Sequence, residues 1–273
     1  MAKSLKWGLF GKVLPLTALF ALAKLGVHGM GLEPWEFDSL TGSLFGASSF
    51  VIAFILSGTL ANYNASDEMV VQFANAVEAI ADINLYAAKV HGGHHGEALN
   101  GRLANLLLQL KDWLSNKIQL EQLLNSLAEL NLSLAELRLA TADSVADRAL
   151  PELAKMRILV HKMAASRDND FLGPAYALLE IFLIGAVMAL LLIGADRFSE
   201  NLVVSCFLFT SFTYLLILIR DLDNPFQYDG SSCIEVDLSC LGETREHLVS
   251  LASSASTRQI NTAAARTPAS PTA

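Results

Sequence analysis

Charge is scarce in this chain. Lys, Arg, Asp and Glu make up 17% of its 273 residues, against about 25% in soluble domains, while 53% is hydrophobic. Clusters of Lys and Arg are missing as well, and a net charge of −8 excludes nucleic acid as a partner. Only three cysteines occur, Cys206, Cys233 and Cys240, in neither a disulfide framework nor a zinc spacing. No phosphate loop, nucleophile elbow, HExxH helix or acidic calcium loop is present, so no enzyme activity, catalytic residue, metal or cofactor is expected. The HGGHH stretch, His91 to His95, has no Cys or carboxylate at a ligand spacing and reads as a turn.

What the chain has in quantity is long apolar runs. Val13 to Leu32 is interrupted only by Lys24 and His28, and Ser39 to Ser66 carries no charge. Phe171 to Ala195 carries only Glu180, and Asn201 to Ile219 carries none. About 20 apolar residues cross a ~30 Å hydrocarbon core, so all four runs predict membrane helices in contact with lipid. Lys3, Lys6 and Lys12 precede the first, whereas the connection to the second holds Glu33, Glu36 and Asp38 with no basic residue. The positive-inside rule then places both termini in the cytoplasm of a multi-pass protein of the cell (inner) membrane. A signal peptide cleaved after Ala21-Leu22-Ala23 is the rival reading of the start. The apolar run continues past that point, which favours a retained helix.

Beyond Asn62 the second run turns amphipathic without a break. Val70, Phe73, Val77 and Ile80 recur at spacings of three and four, which predicts one helix through 43–90, about 70 Å long at ~1.5 Å per residue. The leucines of 106–137 read as packing residues of helical hairpins, and Pro151 suits a helix start. Asn64 and Asn131 match glycosylation sequons, but both fall on the cytoplasmic side. The organisation is therefore all-α. Residues 1–66 hold two membrane helices, 67–169 a cytoplasmic helical region, 170–220 two more membrane helices, 221–249 a cytoplasmic segment and 250–273 a disordered tail rich in Ser, Thr, Ala and Pro.

Among the charged intruders at lipid depth, Lys24 and Glu180 lie about 16 and 13 Å from the inner ends of their segments at ~1.5 Å per residue, which predicts an intramembrane pair.

SFVIAF, Ser49 to Phe54, resembles the second-helix sequence of bestrophins, and DLDNPFQYDG, Asp221 to Gly230, is similar to their NPF segment. The order of elements is also similar. The chain departs from the family where Gly58 to Asn64 reads GTLANYN in place of an Arg-Trp-Trp stretch, and where few acids follow the NPF. The resemblance implies a bestrophin-like homo-oligomer of five copies that conducts small inorganic ions, chloride among them, and needs no cofactor. Phe50 and Phe54 would form the pore neck, and Ser57, Gly58, Ala61 and Asn62 would continue the lining. Asn224, Pro225 and Phe226 would fold back on the inner end of the second helix. The alternative is a non-conducting scaffold that binds a partner through its cytoplasmic helices. Glu33, Glu36 and Asp38 would ring the outer mouth and attract cations, against the family's usual preference for anions.

Overall fold

The computed structural model describes residues 2–91, 97–140, 147–168, 173–228 and 234–264. The helices are α1 (Ala2–Gly29), α2 (Ser39–His91), α3 (Glu97–Leu114), α4 (Leu120–Ala140), α5 (Leu150–Asp168), α6 (Gly173–Leu192), α7 (Phe198–Asp223) and α8 (Ser239–Ala264). Among the described residues the only β-pairing is an isolated bridge between Trp35 and Ile193. Four helices are long and apolar enough to cross a membrane: 8–29 of α1, 39–90 of α2, 175–192 of α6 and 198–223 of α7. Most of HGGHH and Cys233 lie outside the described residues.

The chain divides into two compact units, and the division within α2 falls after Asn64. The first unit contains α1, α2 to Asn64, α6 and α7. Its core is built by Phe20, Phe45, Ile52, Ile55, Leu179, Leu190 and Phe212. Phe20 stacks on Phe209 with ring centroids 4.3 Å apart, and one turn away the Thr17 and Thr210 hydroxyls meet at 2.8 Å. α1 ends where Gly31 takes a left-handed φ of 67°. The Gly31 amide then donates to His28 O, and Leu32 to Val27 O, which satisfies two otherwise orphaned carbonyls. α2 begins at a reciprocal cap. Asp38 Oδ1 accepts the amides of Leu40 and Thr41, while Thr41 Oγ1 accepts the Asp38 amide at 2.9 Å.

The second unit contains α2 from Ala65, with α3, α4, α5 and α8. Val70, Phe73, Val77 and Ile80 are each completely buried, as their spacing predicts. Between Thr59 and His91 there is neither Gly nor Pro, so nothing stops α2 where its surroundings change. The Leu-rich stretch forms an α3–α4 hairpin whose leucines, from Leu106 to Leu137, supply much of the core. The turn is set by Asn116, at a φ of 58°, a residue that tolerates the left-handed region. Two polar contacts are built into α2's packing: Asn84 donates to Asn100 Oδ1 at 2.9 Å inside the core, and Thr244 of α8 donates to Glu78 at 3.1 Å. Pro151 stands in the first turn of α5.

α8 extends to Ala264.

Phe73 has no exposed surface and lies on the α2 stripe that organises the second unit. Phe73→Ala is expected to destabilise that unit by about 3–5 kcal/mol, read as earlier proteolytic cutting of residues 65–167 in denaturant titrations.

Candidate functional site

The face of α2 turned away from the first unit's core combines two exposed aromatic residues with several small and polar ones. Phe50 and Phe54, one turn apart, are 71% and 72% exposed. Around them stand Ser43, Gly46, Ala47, Ser49, Ala53 and Ser57, all exposed, and the same side continues through Gly58, Ala61 and Asn62. A methyl group built on Gly46 or Gly58 would meet nothing within 4 Å. The open faces of the other three spans carry bulky apolar side chains instead: Leu19 and Leu22 on α1, Ile181 and Ile184 on α6, Val203 and Phe207 on α7. On α2 the bulky residues Phe45, Ile52 and Ile55 are turned inward.

Where the two hairpin connections lie, the structure contains a charged cluster that the sequence did not suggest. Lys24 is completely buried, with its Nζ donating to Leu191 O at 3.1 Å and to Ile193 O. The Glu33 carboxylate lies 3.1 Å from the same Nζ, and its other oxygen is 2.9 Å from His28 Nδ1. His28 stacks on Phe198, the first residue of α7. The connection is held again at Trp35, whose amide donates to Leu192 O and whose carbonyl accepts the Gly194 amide at 2.8 Å. Gly194 is close-packed here, since a Cβ on it would sit 3.2 Å from Glu33 Cβ.

These contacts correct the expected Lys24–Glu180 pair. Glu180 bonds Arg220 of α7, while Lys24 is fixed at the far end of α6. Twelve residues separate Glu180 from Leu192, about 18 Å at ~1.5 Å per residue. Equal depth counted along each segment missed that separation. Arg220 was passed over because it stands one residue beyond the apolar run. Yet in the antiparallel α6–α7 hairpin, residues near the start of one helix and the end of the next must be neighbours.

After α7, Asn224 leaves the helical region at φ −117° and ψ 79°, as a residue before proline does. Phe226 is 1% exposed. Tyr63 of α2 donates to Glu235 O at 3.2 Å, which ties the chain beyond the NPF to α2 near Asn62.

No protein-family model matches the sequence, and no curated protein matches it. Solved structures do. A bacterial bestrophin homologue from Klebsiella pneumoniae superposes with a TM-score of 0.72 at 13% identity, over 89% of this chain and 98% of that one. A point variant of that homologue gives 0.73 at 13% identity, over 88% and 98%. This is the bestrophin-homologue fold. A structure described only as a membrane protein matches as well, at 0.73 and 13% identity, over 88% of this chain and 97% of that one. The described residues thus form an all-helical, bestrophin-like fold with four helices long and apolar enough to cross a membrane.

Within this bestrophin-like chain, the Lys24–Glu33 contact sets a pH response. Burial opposes ionisation of Glu33, but hydrogen bonds from His28 and Lys24, together with the Lys24 charge, hold it below its ordinary value. The unfolded chain therefore takes up this proton at a higher pH than the folded chain. The stabilisation is complete above the ordinary carboxylate value and is lost as pH falls through the lower, folded value. Glu33→Gln is expected to flatten the acid limb of the melting temperature measured in detergent. Glu33→Ala, which leaves a buried Lys24 without its counter-charge, is expected to cost about 3–5 kcal/mol. Lys24→Met, which removes the charge and keeps the volume, is expected to cost less.

Proposed function

We propose that this protein is an oligomeric ion channel of the bestrophin kind, with five copies of α2 surrounding the conduction path and Phe50 and Phe54 forming its neck. The observation that carries the reading is the open face of α2. Small and polar side chains are poorly suited to face lipid, but they suit a helix that meets its copies or water. Two aromatic residues one turn apart interrupt that face. In a five-fold ring they would close an apolar constriction, where an ion loses hydration without replacement. Ser57, Gly58, Ala61 and Asn62 would widen the path beyond it. The NPF segment, Asn224 to Phe226, would brace the inner end of α2, with both termini in the cytoplasm of a bacterial inner membrane.

The resemblance favours anions such as chloride. Of the three acids expected at the outer mouth, Glu33 is already paired with Lys24, and Glu36 and Asp38 remain exposed. Backbone and side-chain hydrogen bonds from Thr41 hold Asp38 below the usual carboxylate range, so it keeps its charge. A reversal potential under a salt gradient reads the sign of the ion, and the chloride reading requires it to move toward the chloride equilibrium potential.

In liposomes, the Phe50→Ala/Phe54→Ala protein is expected to assemble normally and to raise ion flux several-fold over the unsubstituted protein. Unchanged flux through normally assembled rings would remove the two residues from the neck. Rings that pass no ion in either form would leave the scaffold reading.

A further inference from the structure

On the membrane side of the first unit, α1 and α7 leave an open groove of about 610 Å³. Phe10 and Leu14 form one wall, and Val203, Cys206 and Phe207 the other. Phe10 and Tyr214 narrow one end, with ring centroids 6.3 Å apart. From Val203 to Leu215 the groove follows about twelve residues of α7, roughly 18 Å at ~1.5 Å per residue. One leaflet of a ~30 Å hydrocarbon core is of similar depth.

The two aliphatic hydroxyls along this groove, Thr210 and Ser211, already bond the α7 backbone. Thr210 Oγ1 donates to Cys206 O at 2.6 Å and meets Thr17, and Ser211 Oγ donates to Phe207 O at 2.9 Å. Between its ends the groove is therefore apolar, with the Tyr214 ring at one end as its chief polar feature. The rims are bulky and stand proud: Leu14 is 54% exposed, Val203 68% and Phe207 72%. A helix of about 10–12 Å diameter would rest on those rims, whereas a single hydrocarbon chain is thin enough to lie between them.

We propose that the α1–α7 groove is an acyl-chain site, filled by one fatty tail of a membrane phospholipid. The surroundings supply the occupant, since every lining residue belongs to a membrane-spanning segment. Buried there, a tail gains dispersion contacts with both walls and covers the half-buried Cys206. The site does not depend on ion conduction and would serve equally in a scaffold.

The test uses the full chain purified in detergent, with dioleoyl phosphatidylglycerol added back after delipidation. Native mass spectrometry is expected to show at least one lipid retained per chain, falling several-fold in Cys206→Trp, which fills the groove from the α7 wall. Should that variant misfold, the unsubstituted protein still decides the question. Added lipid is expected to slow N-ethylmaleimide labelling of Cys206 several-fold and to leave Cys240 unaffected. A Cys206 rate indifferent to lipid would overturn the proposal, as would equal lipid retention in a folded Cys206→Trp protein. Cross-linking of Cys206 between chains, which would seat a second copy in the groove, would also overturn it.

Discussion

A helix that ends near hydrocarbon leaves carbonyls with no water to bond, and that constraint organises the first unit. At the end of α6, donors come from three other elements. Lys24 of α1 reaches Leu191 and Ile193, the Trp35 backbone amide reaches Leu192, and the Asn201 side-chain Nδ2 reaches Ile193 at 2.9 Å. Lys24 can be wholly buried because it meets the negative end of the α6 dipole and the Glu33 carboxylate together. The connection between α1 and α2 is therefore fixed to the ends of both neighbouring helices. α2 consequently leaves a fixed point, with its Asp38 cap already closed.

From that point α2 runs 53 residues through two different packing environments. Its inward face is dominated by apolar side chains, Phe45, Ile52 and Ile55 in the first unit and Val70, Phe73, Val77 and Ile80 in the second, with Ser48, Thr59, Ser66 and Asn84 buried among them. Its open face in the first unit is mostly small and polar between Ser43 and Asn62, interrupted by Phe50, Phe54 and Leu60. Small residues also occur on the open side of α1, where Gly11 and Gly26 meet nothing within 4 Å, but only on α2 do serine and glycine flank two exposed aromatic residues. The exception on α2 is what the proposed conduction path explains.

Much of this was legible in the sequence, for reasons that differ between elements. The four spans stood out because hydrocarbon tolerates few charges, and the stripe from Val70 to Ile80 because burial repeats with the helical period. The exposure of Phe50 and Phe54 could not be read from spacing, since an i, i+4 pair faces a pore, lipid or core equally well. Lys24 and Glu180 were marked as unusual, but their partners depended on where α6 ends and how the hairpin folds back. Glu33 is a loop acid by position and a buried partner only by packing.

The most direct measurement of whether the open face of α2 meets water is thiol accessibility in liposomes. In a protein whose three cysteines are replaced by serine, Ser57→Cys and Ala61→Cys would be treated with a charged, water-soluble thiol reagent and compared with Ile184→Cys and Val203→Cys. The expected result is reaction at 57 and 61 with block of ion flux, and no reaction at 184 or 203. Unreactive thiols at 57 and 61, or modification there that leaves flux unchanged, would contradict a conduction path along α2.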